Sequence, residues 1–279
     1  MSQTLWCDPE RPMYETSERM KAMSLPCHVT GPSAAPTILF LHGGGVSGWM
    51  WEPVINRLRD RFRCLVPDLP GHGRLAHETF SFARAVDGLT SLIRSLADGG
   101  PVHVVGLSLG GQTALHLIAA HPELVSRAVV SGTLTRPLPG IRAYRALLRV
   151  TFPLARQEWM IRANRRQLGI PPAYEEQFRS DVLQATAAGL EAVVTENMSF
   201  RLPDALASSP VPLVALVGER ELRLLRSCAR DLARTMPRAR AYLVPEAGHT
   251  WCLQDPDLFA RVVAAHVLDR PLPRELVPL

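Results

Sequence analysis

Short apolar runs alternate along this chain with longer stretches whose apolar residues recur every three or four positions. Residues 37–41 (Thr-Ile-Leu-Phe-Leu) form an apolar run closed by glycines, the pattern of a strand buried on both faces. Residues 63–66 and 102–107 read as strands in the same way, the first ended by Pro67 and the Pro70-Gly71 turn. Shorter runs at 128–130, 213–217 and 241–244 continue the series. Between them, helical spacing is carried by residues 49–59, 81–97, 109–120, 222–235 and 256–268. In the second of these helices Phe82, Val86, Leu89, Leu92, Ile93 and Leu96 share one face, and Gly99-Gly100-Pro101 stops it. Strands alternating with helices predict an α/β fold, a mostly parallel central sheet flanked by helices.

The alternation fails between Thr135 and Leu202. Helical patterns there (Tyr144, Leu147 and Leu148, then Trp159 and Met160) are separated by Pro153, Pro171-Pro172 and Pro203, with no convincing strand. This predicts an inserted helical cap at 135–202, dividing a core made of residues 1–134 and 203–279. The first 24 residues hold no recognisable element and are expected as a disordered tail or a cover for the cap.

Composition narrows the class. With 279 residues, 47% of them apolar, the chain can bury a large core and is not a disordered protein. Its longest apolar stretch, 211–217, is far below the roughly 20 residues that span a bilayer, and no secretory h-region is visible, so a cytoplasmic protein is expected. The net charge of +5 is carried almost wholly by arginine, Lys21 being the single lysine. That arginine is spread along the chain, which argues against a nucleic-acid footprint. The densest stretch, from Arg136 to Arg166, reads as a solvated face. Five cysteines without C-x-x-C spacing argue against both a disulfide framework and a zinc site.

Four motifs carry candidate chemistry. Gly106-Leu107-Ser108-Leu109-Gly110 fits G-x-S-x-G and sits between a strand and a helix, the setting in which a sharp turn exposes a serine hydroxyl. The N–H of Leu109, at the helix start, can face a developing oxyanion. His42-Gly43-Gly44-Gly45 follows the 37–41 strand, and an N–H of Gly44 or Gly43 can supply the second donor. His42 itself reads as a hydrogen-bonded structural histidine. His249, in Glu246-Ala247-Gly248-His249, follows the 241–244 strand and can reach the same rim as a proton acceptor for Ser108. After the 213–217 strand, Gly218-Glu219-Arg220-Glu221 offers two acids to orient that histidine. Glu221 is preferred because the turn after Gly218 carries it past the strand end, with Glu219 as the alternative.

Together these motifs, with Asp68-Leu69-Pro70-Gly71-His72-Gly73 after the next strand, resemble the α/β-hydrolase superfamily from about Leu25 to Leu268. The resemblance implies Ser108 as nucleophile, Glu221 as triad acid and His249 as base, with a cap inserted after the sixth strand. The acid position usually carries Asp and here carries Glu. Asp68 and His72 match a structural turn and receive no chemistry.

A serine at the elbow implies attack on an acyl carbon and an acyl-enzyme, with no metal or organic cofactor. The expected function is hydrolysis of a carboxylic ester of a small to medium, largely apolar substrate. Alternatives are a C–C hydrolase of the meta-cleavage product type, a thioesterase or acyltransferase, and a non-catalytic ligand-binding protein. The C–C hydrolases are matched less well: Val46-Ser47-Gly48 follows the glycine loop where they carry a Pro-Gly step, and Thr250 separates His249 from Trp251. Trp159, Phe152, Leu148 and Trp251 are expected to shape the substrate pocket. The expected partner is a small molecule, with neither nucleic acid nor a membrane span, and a homodimer is left open.

Overall fold

A computed structural model describes residues 25–97 and 100–279. The first 24 residues, for which a tail or cover was expected, lie outside the described residues, as do Asp98 and Gly99. Eight strands form one sheet: β1 (Cys27–Thr30), β2 (Thr37–Leu41), β3 (Arg63–Pro67), β4 (Val102–Leu107), β5 (Val125–Ser131), β6 (Leu213–Gly218), β7 (Ala239–Val244) and β8 (Val277–Pro278). Their order across the sheet is β1-β3-β2-β4-β5-β6-β7-β8. The strands from β3 across to β7 are parallel, while β1 and β8 pair antiparallel at the two edges.

Burial on both faces explains the continuous apolar runs, since a parallel sheet is covered by its crossover helices on each side. Along β2 the period of two sends Ile38 and Phe40 to one core and Leu39 and Leu41 to the other. The first of these cores is closed by α1 (Glu52–Leu58) and the helix that ends the fold, α10 (Pro256–Val267). The second is closed by α2 (Phe82–Leu96), α3 (Leu109–Ala120) and α8 (Arg223–Thr235). Helix starts follow local chemistry: the Ser81 hydroxyl accepts the Arg84 N–H at 3.2 Å, and the Asp255 carboxylate accepts that of Leu258 at 2.9 Å. No helix among the described residues is long and apolar enough to cross a membrane.

Four helices fill the connection between β5 and β6: α4 (Ile141–Ala155), α5 (Glu158–Leu168), α6 (Glu175–Gln184) and α7 (Ala187–Ser199). Counted among the described strands, which leave out residues 1–24, this insertion follows the fifth. Pro153, read from the sequence as a break, lies inside the last turn of α4. So near the helix end its missing N–H removes one bond and the helix continues. The region expected as one helix at 49–59 divides into a 3-10 turn, Gly48–Trp51, and α1, with Pro53 in the first turn where no N–H is needed.

Candidate active site

The carboxyl ends of β2, β4, β5, β6 and β7 bring the four motifs to one rim of the sheet. Ser108 stands between β4 and α3 with φ 54° and ψ −113°, a backbone conformation that a non-glycine residue adopts at a cost of about 1–3 kcal/mol. Two main-chain bonds hold it there. Its N–H donates to the Ser131 carbonyl at 2.8 Å, and its carbonyl accepts the Gln112 N–H at 3.0 Å. The flanking glycines leave no room for side chains: a Cβ on Gly106 would lie 2.5 Å from the Gly110 carbonyl oxygen, and one on Gly110 would lie 2.1 Å from that of Leu41. The turn is therefore pressed onto the end of β2, and Ser108 remains partly exposed while Leu109 and Gly110 are buried.

Leu109 is the first residue of α3, so its N–H has no acceptor within the helix. The glycine loop after β2 runs beside it. A side chain at Gly44 would meet Leu109 Cβ at 3.8 Å and Val193 Cγ1, from α7, at 3.4 Å. The two glycines differ in a way that the sequence left open. Gly43 is buried and its N–H donates to Met50 Sδ at 3.4 Å, whereas Gly44 is exposed. His42 is wholly buried and uses both ring nitrogens: Nδ1 donates to the Gly43 carbonyl at 2.9 Å, and Nε2 accepts the Leu69 N–H at 2.9 Å. Burial also lowers its pKa, so the ring is neutral and structural. Asp68 secures the same region by accepting the Gly48 N–H at 3.1 Å and pairing with Arg74 at 2.6 Å.

His249 and Glu221 come together. His249 Nδ1 lies 2.5 Å from Glu221 Oε1. A carboxylate only accepts, so Nδ1 is the donor in this bond, and in a neutral ring that tautomer leaves the lone pair on Nε2. Glu221 Oε2 accepts the Gly218 N–H at 2.6 Å, and the Glu221 side chain is 2% exposed against 32% for His249. Glu219 goes elsewhere: it is exposed, and its carboxylate accepts the Glu246 N–H at 2.9 Å. The choice between the two acids turns on the Gly218–Glu221 turn, which puts Glu219 outward and Glu221 inward.

Two neighbours of these candidate residues carried no sequence signal. Gly132, the residue after β5, has φ +58°, and a Cβ there would lie 2.7 Å from His249 Nδ1 and 2.8 Å from Glu221 Oε1. Ser131 receives the Ser108 N–H on its carbonyl and the Trp251 indole N–H on its hydroxyl, at 2.9 Å. One dipeptide thus touches the serine turn on one side and the histidine–glutamate pair on the other.

The aromatic and aliphatic pocket candidates divide. Leu148 is buried and Phe152 half-buried under the Arg156 guanidinium, 5.6 Å from its ring. Trp159 is 59% exposed on the insertion. Trp251 is 1% exposed and packs 4.6 Å from the Phe259 ring in the core, because α9 (Trp251–Gln254) turns its indole inward. Expected beside a substrate, it is a core residue here.

The insertion grips each part of the rim. Gln112, on the elbow helix, exchanges bonds with Asn197 of α7: its amide donates to the Asn197 carbonyl at 3.2 Å and its oxygen accepts the Asn197 amide at 2.8 Å. Thr250, beside His249, donates to the Leu168 carbonyl, and Gln254 donates to that of Gly169 at 3.0 Å.

Residues 38–262 match the model of the alpha/beta hydrolase family, and the chain belongs to that family. It is 24% identical over 258 residues to a pimeloyl-[acyl-carrier protein] methyl ester esterase of Vibrio vulnificus, covering 85% of this chain and 96% of that protein. Among solved structures it resembles a thermophilic esterase from Thermogutta terrifontis, with a TM-score of 0.74 and 23% identity over 88% of this chain and 93% of the other. It also resembles the enol-lactonase from Burkholderia xenovorans, with a TM-score of 0.75 and 20% identity over 88% and 96% of the two chains.

Proposed function

We propose that the protein is a serine hydrolase that cleaves a carboxylic ester of a small to medium, largely apolar substrate through an acyl-enzyme. The observation that carries this reading is the 2.5 Å bond between His249 Nδ1 and Glu221 Oε1, on the same sheet rim as the strained turn that holds Ser108. Glu221 fixes the ring so that Nε2 can take the Ser108 proton as Oγ attacks the carbonyl carbon. The oxyanion that forms is held by the N–H groups of Leu109 and Gly44. Of the two loop glycines, Gly44 is the donor because the Gly43 N–H is engaged by Met50. His249 then protonates the departing alcohol. Water, deprotonated by the same nitrogen, attacks the acyl-enzyme and releases the acid.

An uncharged ester is supported by four arginines of the insertion that are already engaged by its acids. Arg145 and Arg149 are bound to Glu191, Arg165 to Glu175 at 3.0 Å, and Arg179 to Glu158 at 2.8 Å. The likeness to the Vibrio esterase supports the same chemistry. The inserted helices act as the cap over the acyl group, with Leu148 and Phe152 as its apolar lining candidates.

The test is hydrolysis of p-nitrophenyl esters from acetyl to palmitoyl by wild type and Ser108→Ala. Turnover that vanishes in the variant, with an optimum at short or medium chains, is expected. No turnover at any length by folded protein overturns the reading.

A further inference from the structure

Among the ionisable groups of the insertion that the mechanism leaves unused is the carboxylate of Asp181 on α6. Among the described residues no arginine forms an ion pair with it. Its Oδ1 accepts the Ser47 hydroxyl at 3.0 Å and its Oδ2 the Trp49 indole N–H at 2.7 Å. Both donors belong to the segment that follows the glycine loop after β2. Seven residues earlier, just before α6, Tyr174 stacks on the same indole, with ring centroids 5.6 Å apart and planes 19° from parallel. Tyr174, the residue that caps α6, and Asp181 within it thus hold one side chain by its ring and by its N–H.

From these contacts we propose that Asp181 is a positioning residue, which fixes the oxyanion loop 43–48 by tying Ser47 and Trp49 to α6. The assignment rests on the ester-hydrolase reading above. On the core side the segment is already held by the Asp68 bond to Gly48 N–H, and Gly73 lies so close that a Cβ there would be 2.9 Å from Ser47 Cβ. Asp181 closes the grip from the other side at Ser47, three residues along the chain from Gly44. The carboxylate occupies this place against its solvation preference. Desolvation, reinforced by the nearby Asp68 charge and opposed by the bonds from Trp49 and Ser47, pushes its pKa up to about 7.

A misplaced donor weakens transition-state binding more than substrate binding, so the effect belongs in kcat. Asp181→Ala should lower kcat on the best p-nitrophenyl ester about 10–100-fold, the range expected when a catalytic group shifts by about 1 Å, with KM changed less than about threefold. Asp181→Asn should recover most of the loss, since a carboxamide can accept from Trp49 while donating to Ser47. Ser47→Ala combined with Trp49→Phe removes both bonds while keeping the carboxylate. It should reproduce the Asp181→Ala defect, and joining all three changes should add nothing. Amide exchange across residues 43–48, read by mass spectrometry, should quicken in Asp181→Ala and in the Ser47/Trp49 variant but not in Asp181→Asn.

Unchanged exchange and unchanged kcat in the folded variants would overturn the proposal. So would faster exchange at full kcat, because the contact would then be structural only. Should Asp181→Ala fail to fold, the Ser47 and Trp49 variants carry the same measurements. If wild type turns over no ester while loop exchange responds as described, the ester reading falls and the proposal is reduced to an overturned catalytic role on a real tether.

Discussion

Ser108 and Ser131 are joined by a main-chain bond of 2.8 Å, from the N–H of one to the carbonyl of the other. The residue after Ser131 is Gly132, whose missing side chain makes room for His249 and Glu221. The end of β5 therefore spaces the candidate nucleophile from its candidate base.

Gly132→Ala tests that spacing. The methyl would fall within 2.8 Å of both His249 and Glu221, on a backbone of φ +58° that alanine adopts with strain. Ester turnover (kcat/KM) should drop at least 100-fold while the far-ultraviolet spectrum stays native, since the imidazole must leave its place before the strand does. Activity within threefold of wild type would show that the pair tolerates displacement.

Glu221→Gln should lower kcat by about 10³–10⁴-fold, because an amide no longer dictates which ring nitrogen carries the proton. Glu219→Gln should leave kcat within twofold, its carboxylate being directed to the Glu246 N–H. Steady-state kinetics on one ester separates the two acids.

Trp251→Phe removes a buried indole N–H from Ser131 Oγ and should destabilise the fold by about 1–2 kcal/mol, read by urea titration. Trp159→Ala, at a position 59% exposed, should change stability by less than about 0.5 kcal/mol. Neither should alter the preferred acyl length in an ester series. A shifted optimum in either variant would put that tryptophan against the substrate.

Acid should weaken the fold through buried histidines. His72 has its pKa lowered from 6.5 to about 3, chiefly by desolvation and then by His42, so the unfolded chain binds a proton in that interval that the native chain does not. Stability from this residue is intact above about pH 6.5 and is lost as pH falls towards 3, at up to about 1.4 kcal/mol per pH unit. His72→Gln should flatten the slope of unfolding free energy against pH by one proton across that window. An unchanged slope would mean that His72 is protonated without opening the structure.

Most of the sheet was legible in the pattern of the chain. The strand at 37–41, the strand at 102–107 and the helix at 109–120 have the bounds read from the sequence, because continuous burial writes itself as a continuous apolar run. The strands β1 and β8 escaped notice for the converse reason. They are edge strands of four and two residues, half-buried or exposed, and neither carries a period. The serine turn and the histidine loop announced themselves through glycines placed where backbone must pass backbone. Gly132, Ser131 and Asp181 gave no such signal. Each matters for what lies against it from a distant part of the chain, and adjacency in space leaves no mark on neighbouring letters.

The helical insertion bonds to the elbow helix through Asn197, to the loop beside His249 through Leu168 and Gly169, and to the segment after the glycine loop through Asp181. A chimaera that borrowed these helices from another family member would lose the Asn197 and Asp181 side-chain bonds and would have to place its own main-chain carbonyls against Thr250 and Gln254. If the insertion is the cap proposed above, selectivity and turnover share these joints, and altering one by transplanting helices means refitting the other.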